Sequence, residues 1–353
     1  MRLKNLQDIS SKVKSRFGGV ASGVLHRTVR PALFHVSNTI KYDRVIKGRS
    51  SIETIRNISI EFCQLCNLRC KYCNIVKTDR ARFLDINVYE KLLKELCENG
   101  RYRIRSFEWP IGGEFVLHPK AREIIMMTRQ YMDRFSQFRP WIILNTNLTL
   151  MKKDIVDLIL SSNVVNQMIL SIDGRDKESF EDMRRPAKYE TVIEHVKYII
   201  EKNEQLGHPV VLEVNNGTDD ACRHRSMDPI LMEVMNGVDH VRTWHAKHFN
   251  DSFPVAGKPV ASARGFCSFV FENVTISSGG SVIKCCMDLG ESTRYGDLNQ
   301  NTLEEIWNSA QRKHELSLMR WGKREKLPGC SACTITYSNI DNTYRKKKAS
   351  MSS

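Results

Sequence analysis

The chain has 353 residues, a formal net charge of +14, 41% apolar residues and 27% charged residues. This composition is typical of globular proteins and excludes a disordered or fibrous chain, and the length allows two domains. No run approaches the roughly 18 apolar residues that a bilayer span needs, and no signal peptide is visible, so we expect a cytoplasmic protein. In a reducing compartment, the 11 cysteines indicate metal binding or catalysis rather than disulfides.

The basic excess lies mainly at the two ends of the chain. Residues 1–54 are predicted to be a basic extension, and residues 341–353 a basic tail. Within the extension, residues 1–17 have apolar positions at helical spacing among lysines and arginines. This helix is predicted to make a peripheral contact with an anionic membrane, to dock on the protein itself, or to be a frayed terminus. Charge alone does not indicate a nucleic-acid partner.

From residue 55, strand-like runs alternate with helical patterns. Strands are expected at 58–62, 103–109, 141–147, 168–173, 210–215 and 240–245, and helices at 87–99, 152–162 and 189–203. Repeated strand–helix units predict a parallel sheet covered by helices. Right-handed crossovers would curl six such units toward a barrel. The fold class is therefore α/β, with a partial (β/α)6 barrel over residues 55–255 and ligands at the carboxyl ends of its strands.

Residues 256–340 are predicted to form a smaller second domain. A β-hairpin is expected over 273–285, turning at Gly279 and Gly280. One helix is predicted over 302–319, and the pair of cysteines in "CSAC" follows at 330–333. The hairpin and the helix would together carry this second cysteine group.

The first cysteine group follows the first predicted strand, in "EFCQLCNLRCKYCN" at 61–74. Cys66, Cys70 and Cys73 have the spacing C-x3-C-x2-C, and soft thiolates suit an iron–sulfur cluster or zinc. Three ligands on a four-iron cluster leave one iron open, as catalytic metal sites require. Cys63 lies outside this spacing. It is expected to be a buried residue on the strand, or the fourth ligand if the metal is zinc.

Short polar motifs occupy the ends of the next three predicted strands. They are "IGGE" (111–114), "LNTN" (144–147) and "LSIDG" (170–174), with candidate binding residues Gly112, Gly113, Glu114, Asn147, Ser171 and Asp173. Backbone carbonyls and a carboxylate at the first motif could bind a small ammonium group. The other two motifs could hydrogen-bond a ribose or a carboxylate, although ordinary turns or caps would explain each motif as well.

The motif "CNLRCKYC", together with "IGGE", resembles the radical S-adenosylmethionine (SAM) superfamily. The resemblance implies that Cys66, Cys70 and Cys73 hold a [4Fe–4S] cluster and that SAM binds its open iron. Reductive cleavage then forms a 5′-deoxyadenosyl radical that abstracts hydrogen from a substrate. It further implies that Tyr72 lies against the adenine and that Gly112, Gly113 and Glu114 hold the SAM amino group, although Phe115 replaces the family's proline. An external donor of the flavodoxin or ferredoxin type would supply the electron.

The second cysteine group is Cys267, Cys285, Cys330 and Cys333. Four thiolates complete a tetrahedral zinc site or a fully ligated [4Fe–4S] cluster. The segments "SVIKCCMD", "YGDLNQNTLEEIWNS" and "LPGCSAC" resemble the SPASM/twitch domains of radical SAM enzymes. The cysteine count is similar to the one-cluster twitch form and to the 2-deoxy-scyllo-inosamine dehydrogenase type, which implies an auxiliary [4Fe–4S] cluster.

Three further cysteines are not expected to be ligands. Cys286 is the nearest competitor of Cys285, but side chains alternate along a strand, so the two should face opposite ways. Cys97 falls in a predicted helix, and Cys222 in a predicted loop.

A fully ligated auxiliary cluster has no iron left to hold a substrate, so electron transfer is the role expected for it. This favours two-electron oxidation, such as alcohol to ketone, of a small molecule or a peptide. The alternatives are a peptide-modifying or epimerising radical SAM enzyme, a non-catalytic iron–sulfur or zinc scaffold, and an RNA-binding protein, which would require a steep salt dependence of RNA binding.

Candidate substrate contacts lie at the last predicted barrel strand and after the fourth. Trp244, His245 and His248 could position a substrate or act as a base, or could belong to a packed linker. Arg184 and Arg185 could bind an anion, or could lie at an exposed helix end.

Overall fold

The structure is a computed structural model, and it describes residues 52–73, 82–135, 139–245, 267–288, 290–331 and 333. The described residues belong to one compact unit, which covers residues 51–353. The predicted helix at 1–17 and the basic tail at 341–353 lie outside the described residues, as does His248. Among the residues described, no helix combines the length and apolar character that a membrane crossing would need.

One sheet runs through the described part of the chain. Its strands are β1 (Asn57–Ile60), β2 (Ser106–Trp109), β3 (Trp141–Thr146), β4 (Gln167–Ser171), β5 (Val211–Thr218), β6 (His240–His245), β7 (Asn273–Ile276), β8 (Ser281–Ile283) and β9 (Arg294–Asp297). The strand order is β6-β5-β4-β3-β2-β1-β7-β8-β9. All pairings from β6 to β7 are parallel, and β8 and β9 are antiparallel additions. The sheet is not closed, which confirms the predicted α/β class and partial barrel.

Helices lie between successive parallel strands and after the last strand in the described part of the chain. They are α1 (Ile86–Glu98), α2 (Ala121–Met132), α3 (Lys153–Ser161), α4 (Lys177–Met183), α5 (Tyr189–Gln205), α6 (Pro229–Asn236), α7 (Phe269–Glu272), α8 (Leu303–Trp307) and α9 (Ala310–Arg320). The predicted helices at 87–99, 152–162 and 189–203 correspond to α1, α3 and α5, to within two residues at each end.

Alternate residues of the strands face opposite sides of the sheet. One side is apolar and fully buried, for example at Ile58, Phe107 and Leu144. The opposite side carries polar residues. There, Ser59 Oγ and Asn145 Nδ2 donate to the two carboxylate oxygens of Glu108, over 3.4 and 3.5 Å. The inner face of the open barrel is therefore lined with hydrogen-bonding groups.

The predicted hairpin forms, and its first strand continues the barrel sheet. Its turn is at Gly279 and Gly280, where Gly280 has φ +86°, and β7 and β8 pair antiparallel on either side. Strand β7 also pairs in parallel with β1, from Asn57 beside Asn273 to Ile60 beside Ile276. The segment that carries the C-terminal cysteines therefore contributes strands to the same sheet as β1, which leads into the first cysteine loop.

The single helix predicted over 302–319 was wrong, because the structure has two helices, α8 and α9. The Ser309 hydroxyl accepts a hydrogen bond from Arg312 N and so begins a second helix where the first has just ended. Ser309 is therefore an N-cap, a role that serine favours over a position inside a helix. Arg312 then lies 3.2 Å from the centre of the Trp307 ring and donates to Val270 O over 2.9 Å.

Helix α8 docks on the barrel through Glu95 of α1. The carboxylate of Glu95 accepts from the first backbone N–H groups of α8, Leu303 N at 2.8 Å and Glu304 N at 3.0 Å. It also accepts from Tyr102 Oη over 2.6 Å. Negative charge at a helix N-terminus is stabilising, so this carboxylate holds the C-terminal segment against the barrel.

Glu95→Ala removes this acceptor and should lower the free energy of unfolding by about 1–2 kcal/mol, the usual cost of a lost cap. Denaturant unfolding followed by circular dichroism measures the change. Glu98→Ala, on the same helix with a side chain that is 65% exposed, is the matched control and should change stability by less than about 0.5 kcal/mol. Equal effects of the two variants would contradict the docking role of Glu95.

Candidate active site at the carboxyl ends of the strands

The loops that follow β1, β2, β3 and β4 meet at one edge of the sheet, because the carboxyl ends of parallel strands share an edge. The loop after β1 carries the first cysteine group. Its base is anchored by Phe62, which is fully buried and packs edge-to-face against Tyr89, Trp109 and Phe115 at centroid distances of 4.9–5.4 Å. The cysteine loop therefore starts from a rigid aromatic cluster.

The sulfurs of Cys66, Cys70 and Cys73 lie close enough to influence one another electrostatically. Each cysteine is half-buried. Burial raises the pKa of the Cys70 thiol to about 12 and raises that of Cys66. Three such thiols on one loop suit a soft metal that stabilises the thiolate form. Among the described residues, no three His, Cys, Asp or Glu side chains are arranged around a single metal ion.

Cys63 is fully buried, as predicted, but it is not on the strand, since β1 ends at Ile60. Its sulfur accepts a hydrogen bond from Leu65 N and donates to Leu65 O. Burial raises the pKa of this thiol to about 11. The side chain is therefore folded into its own loop.

The Gly-Gly-Glu motif packs directly on the cysteine loop. Gly113 has φ +67°, and a Cβ there would lie 2.0 Å from Cys63 O, so only glycine fits. Glu114 N donates to Leu65 O over 2.8 Å. The Glu114 side chain is 1% exposed and turns toward the end of β3, where it accepts from Thr146 Oγ1 at 3.1 Å and Asn147 N at 2.7 Å. Burial raises its pKa to about 7.

Asn147 follows β3 and lies against Cys66 of the cysteine loop. Its Nδ2 is 3.7 Å from Cys66 Sγ and donates to Asn67 Oδ1 over 3.0 Å. Its Oδ1 accepts from Thr149 N over 3.0 Å. An amide N–H directed at a sulfur favours the thiolate form of Cys66.

Asp173 forms a buried group with Arg184 and Tyr72. Its Oδ2 accepts from Tyr72 Oη at 2.5 Å and from Arg184 Nε at 2.6 Å, and its Oδ1 accepts from Gly217 N at 2.7 Å. Arg184 Nη2 also donates to Tyr72 Oη over 3.0 Å. The alternative that Arg184 lies at an exposed helix end was wrong: the residue is 6% exposed, because it neutralises a carboxylate that is itself fully buried.

Tyr72 is thereby fixed beside the cysteines. Its ring lies edge-to-face on Trp244, with centroids 4.9 Å apart, and it packs with Met183 and Cys222 under Cys70 and Cys73. Ser171 ends β4 beside Asn215 of β5. Arg185, in contrast, is exposed and pairs with Asp182, and His245 Nε2 lies 3.3 Å from Asp220 Oδ1.

The C-terminal cysteines also come together. The Cys285 sulfur interacts electrostatically with those of Cys286, Cys330 and Cys267, and Cys330 interacts with Cys267 and Cys333. Burial raises the pKa of Cys285 well above its usual range and that of Cys330 to about 11. Four thiols are the number that a four-thiolate site needs, although no three of the described side chains are arranged around one metal position.

The strand-based reason for choosing Cys285 over Cys286 was wrong, because β8 ends at Ile283. Asp288 N donates to Cys285 O, so both cysteines lie in a turn, where side chains do not alternate. Two cations lie next to this site: Lys284 and Arg324, 2% exposed each, lower the pKa of the Cys330 thiol in opposition to burial.

Cys97 lies on α1, where its sulfur donates to Tyr131 O over 3.7 Å. It belongs to neither cysteine group.

The sequence motifs did not single out two residues of this region, Arg184 and Glu61. Arg184 was weighed only as an anion site or a helix end, and Glu61, within "ISIEF", carried no expectation. No spacing rule links Arg184 to Asp173. The signal for Glu61 is a charged residue within a predicted strand whose Ile58, Ile60 and Phe62 are apolar.

Family models match two parts of the chain. The model of the Radical SAM superfamily matches residues 60–221, and the model of the SPASM iron–sulfur cluster-binding domain matches residues 267–334. A comparison with curated proteins found no match.

Solved structures share the fold at low sequence identity. BtrN in complex with AdoMet and 2-DOIA has 14% identity and a TM-score of 0.54, over 80% of this chain and 93% of that one. Native anSMEcpe with bound AdoMet has 17% identity and a TM-score of 0.53, over 79% and 88%. Streptococcus suis SuiB bound to S-adenosylmethionine has 13% identity and a TM-score of 0.52, over 95% and 84%.

These comparisons agree with the α/β class and with the open parallel sheet. A radical SAM domain uses SAM and a [4Fe–4S] cluster, and a SPASM domain adds auxiliary iron–sulfur binding. The chain therefore contains a radical SAM domain, matched over residues 60–221, followed by a SPASM domain, matched over residues 267–334.

Proposed function

We propose that the protein is a radical SAM oxidoreductase that dehydrogenates its substrate and passes one electron to an auxiliary cluster. The observation that carries the proposal is the proximity of Cys267, Cys285, Cys330 and Cys333, in a segment whose strands extend the sheet beyond β1. Two thiol sites on one sheet supply both a radical source and an electron acceptor.

In this proposal Cys66, Cys70 and Cys73 hold the cluster that binds SAM. When bound, the two together supply a 5′-deoxyadenosyl radical, which takes a hydrogen atom from a substrate carbon. The chain's own part is to orient the loop. Arg69 N donates to Arg185 O over 2.6 Å and Lys71 N to Met183 O over 2.9 Å, so the buried group of Asp173, Arg184 and Tyr72 supports the cysteines from below.

Cys267, Cys285, Cys330 and Cys333 would hold the second cluster. When bound, this cluster would supply a one-electron acceptor, so that with one proton lost to solvent a substrate alcohol would become a ketone. The hydrogen atom leaves in 5′-deoxyadenosine. The charges of Lys284 and Arg324 beside Cys330 favour the arrival of an electron there.

The substrate is proposed to be a small molecule or a peptide. The solved structures include both kinds of complex, BtrN with 2-DOIA and SuiB with the precursor peptide SuiA, so peptide modification is the second candidate. We further propose an external electron donor of the flavodoxin or ferredoxin type and a cytoplasmic location. A membrane contact through residues 1–17 is the remaining proposal about partners.

Cys70→Ala should abolish SAM cleavage, because two thiolates cannot hold the catalytic cluster. The measurement is 5′-deoxyadenosine formed anaerobically with SAM and dithionite, together with iron content, which should fall from about eight to about four per chain. Cys97→Ala, a change of the same size on α1, should leave both values unchanged. Normal cleavage by the Cys70 variant would contradict the assignment.

Cys330→Ala should lower the iron content to about four per chain while 5′-deoxyadenosine formation continues. Product formation from the substrate should stop, because the electron acceptor is lost. Cys286→Ala is the matched control and should keep about eight irons. If the Cys286 variant lost the iron and the Cys330 variant kept it, the proposed ligand set would be wrong.

A further inference from the structure

Trp321 stands out on the surface, just after the end of α9. It is 63% exposed, the highest fraction among the large apolar residues of the described chain. The guanidinium of Arg320 lies 5.2 Å from the centre of its ring. A single exposed apolar residue is common on protein surfaces, whereas tryptophan and arginine are the residues that contribute most to protein interfaces. The surroundings of Trp321 therefore decide its meaning.

The turn that carries Trp321 is held by backbone hydrogen bonds. Gly322 N donates to Met319 O over 3.1 Å, and Lys323 N donates to Leu318 O over 2.9 Å. Gly322 has φ +68°, and these two bonds around a left-handed glycine form a Schellman motif. The backbone thus holds Trp321 at the surface in a defined position.

Residues 320–326 are strongly basic, with four lysines or arginines and one glutamate. We call them the basic turn. Lys323 and Lys326 are exposed, whereas Arg324 is 2% exposed. The basic turn therefore presents a tryptophan and two lysines to solvent, and a surface of this charge attracts an acidic partner over long range.

The basic turn leads directly to two of the C-terminal cysteines. It ends in one 3-10 turn, Arg324–Lys326. Leu327 N then donates to Arg324 O and Cys330 N to Leu327 O, both over 3.1 Å, and Cys333 N donates to Cys330 O over 3.2 Å. Arg324 also acts electrostatically on the Cys330 thiol. The surface around Trp321 and the second thiol site therefore belong to one continuous, hydrogen-bonded segment.

The second thiol site lies close to solvent on this side. Pro328 and Gly329, which immediately precede Cys330, are exposed, and Cys333 is half-buried. In the proposed reaction one electron arrives at this site in each turnover, and the site must be reoxidised before the next. An electron carrier must therefore approach it from outside, and such encounters use small, transient interfaces.

We propose that the basic turn is the docking surface of an acidic electron carrier of the flavodoxin type, which removes the electron from the auxiliary site. The inference rests on the proposed function. The oxidised carrier is reduced by one electron and the auxiliary site is oxidised by one, so no further co-reactant is needed. Lys323 and Lys326 attract the carrier, and Trp321 provides the apolar contact at the centre of the interface.

The test is the affinity of the full-length, anaerobically reconstituted protein for an oxidised flavodoxin of acidic isoelectric point, measured by isothermal titration calorimetry. Trp321→Ala should weaken binding roughly 10-fold or more, as truncation of a central interface tryptophan does. Lys323→Gln combined with Lys326→Gln should weaken binding roughly 3- to 10-fold at low salt, and this difference should shrink at high salt because salt screens charges.

A second readout is electron transfer itself. Protein reduced beforehand with dithionite and freed of the reductant is mixed with oxidised flavodoxin, and the flavin absorbance is followed by stopped flow. Trp321→Ala and the double lysine variant should slow the second-order reaction by factors similar to their losses of affinity.

The chain offers matched controls for both changes. Trp141, at the start of β3, is 44% exposed, and Trp141→Ala should leave flavodoxin binding unchanged. Lys94 and Lys120 have side chains that are 62% and 50% exposed. Lys94→Gln combined with Lys120→Gln removes the same charge as the double variant of the basic turn and should change binding less than about twofold.

Equal weakening in the control variants, or unchanged flavodoxin binding in Trp321→Ala, would overturn the docking surface. Binding to vesicles of phosphatidylserine and phosphatidylcholine that Trp321→Ala abolishes, without an effect on flavodoxin, would overturn it in favour of a membrane contact. Wild-type protein that holds about eight irons per chain but binds no flavodoxin would defeat this inference alone. An iron content of about four would instead defeat the proposed function, since the auxiliary cluster would be missing.

Discussion

The parallel pairing of β1 with β7 is the constraint on which the rest of the structure depends. Strand β1 lies inside the sheet, with β2 on one side and β7 on the other, and it leads directly into the first cysteine loop. Because β7 leads into the hairpin, the second cysteine group is fixed by the same sheet. The Glu61 carboxylate accepts a hydrogen bond from Ser278 N and so connects the segment after β1 to the segment after β7. Both thiol groups are thus positioned by one hydrogen-bonded framework.

The buried charges around the cysteine loop are neutralised by ion pairs between side chains. Asp173 is fully buried but has donors on both oxygens, and its guanidinium partner Arg184 is buried with it. Breaking such a pair leaves an uncompensated buried charge, which costs more than the pair contributes. The loop after β4 is therefore held in one arrangement beneath Cys70 and Cys73.

Much of this organisation could be predicted from local sequence signals. The cysteine spacing, the apolar alternation of the strands and the turn at Gly279 and Gly280 are local features, and the structure agrees with them. What could not be predicted is long-range. An apolar run predicts a strand but not the strand with which it pairs. No feature of the sequence therefore indicated that β1 pairs with β7. Arg184 and Asp173 meet only because α4 folds back on the end of β4. The break before Ser309 could not be predicted because a serine can either continue a helix or cap the next one.

The separation of β1 and β7 in the chain bears on how the protein is made. Asn57 and Asn273 are partners across 216 positions, and contacts of such long range form late in folding. During synthesis, domains generally fold from the N-terminal end as the chain emerges, but β1 cannot complete its pairing until β7 has left the ribosome. Its cysteine loop therefore reaches its final support only after β7 has been synthesised, and loading of iron into that loop is expected to follow this step.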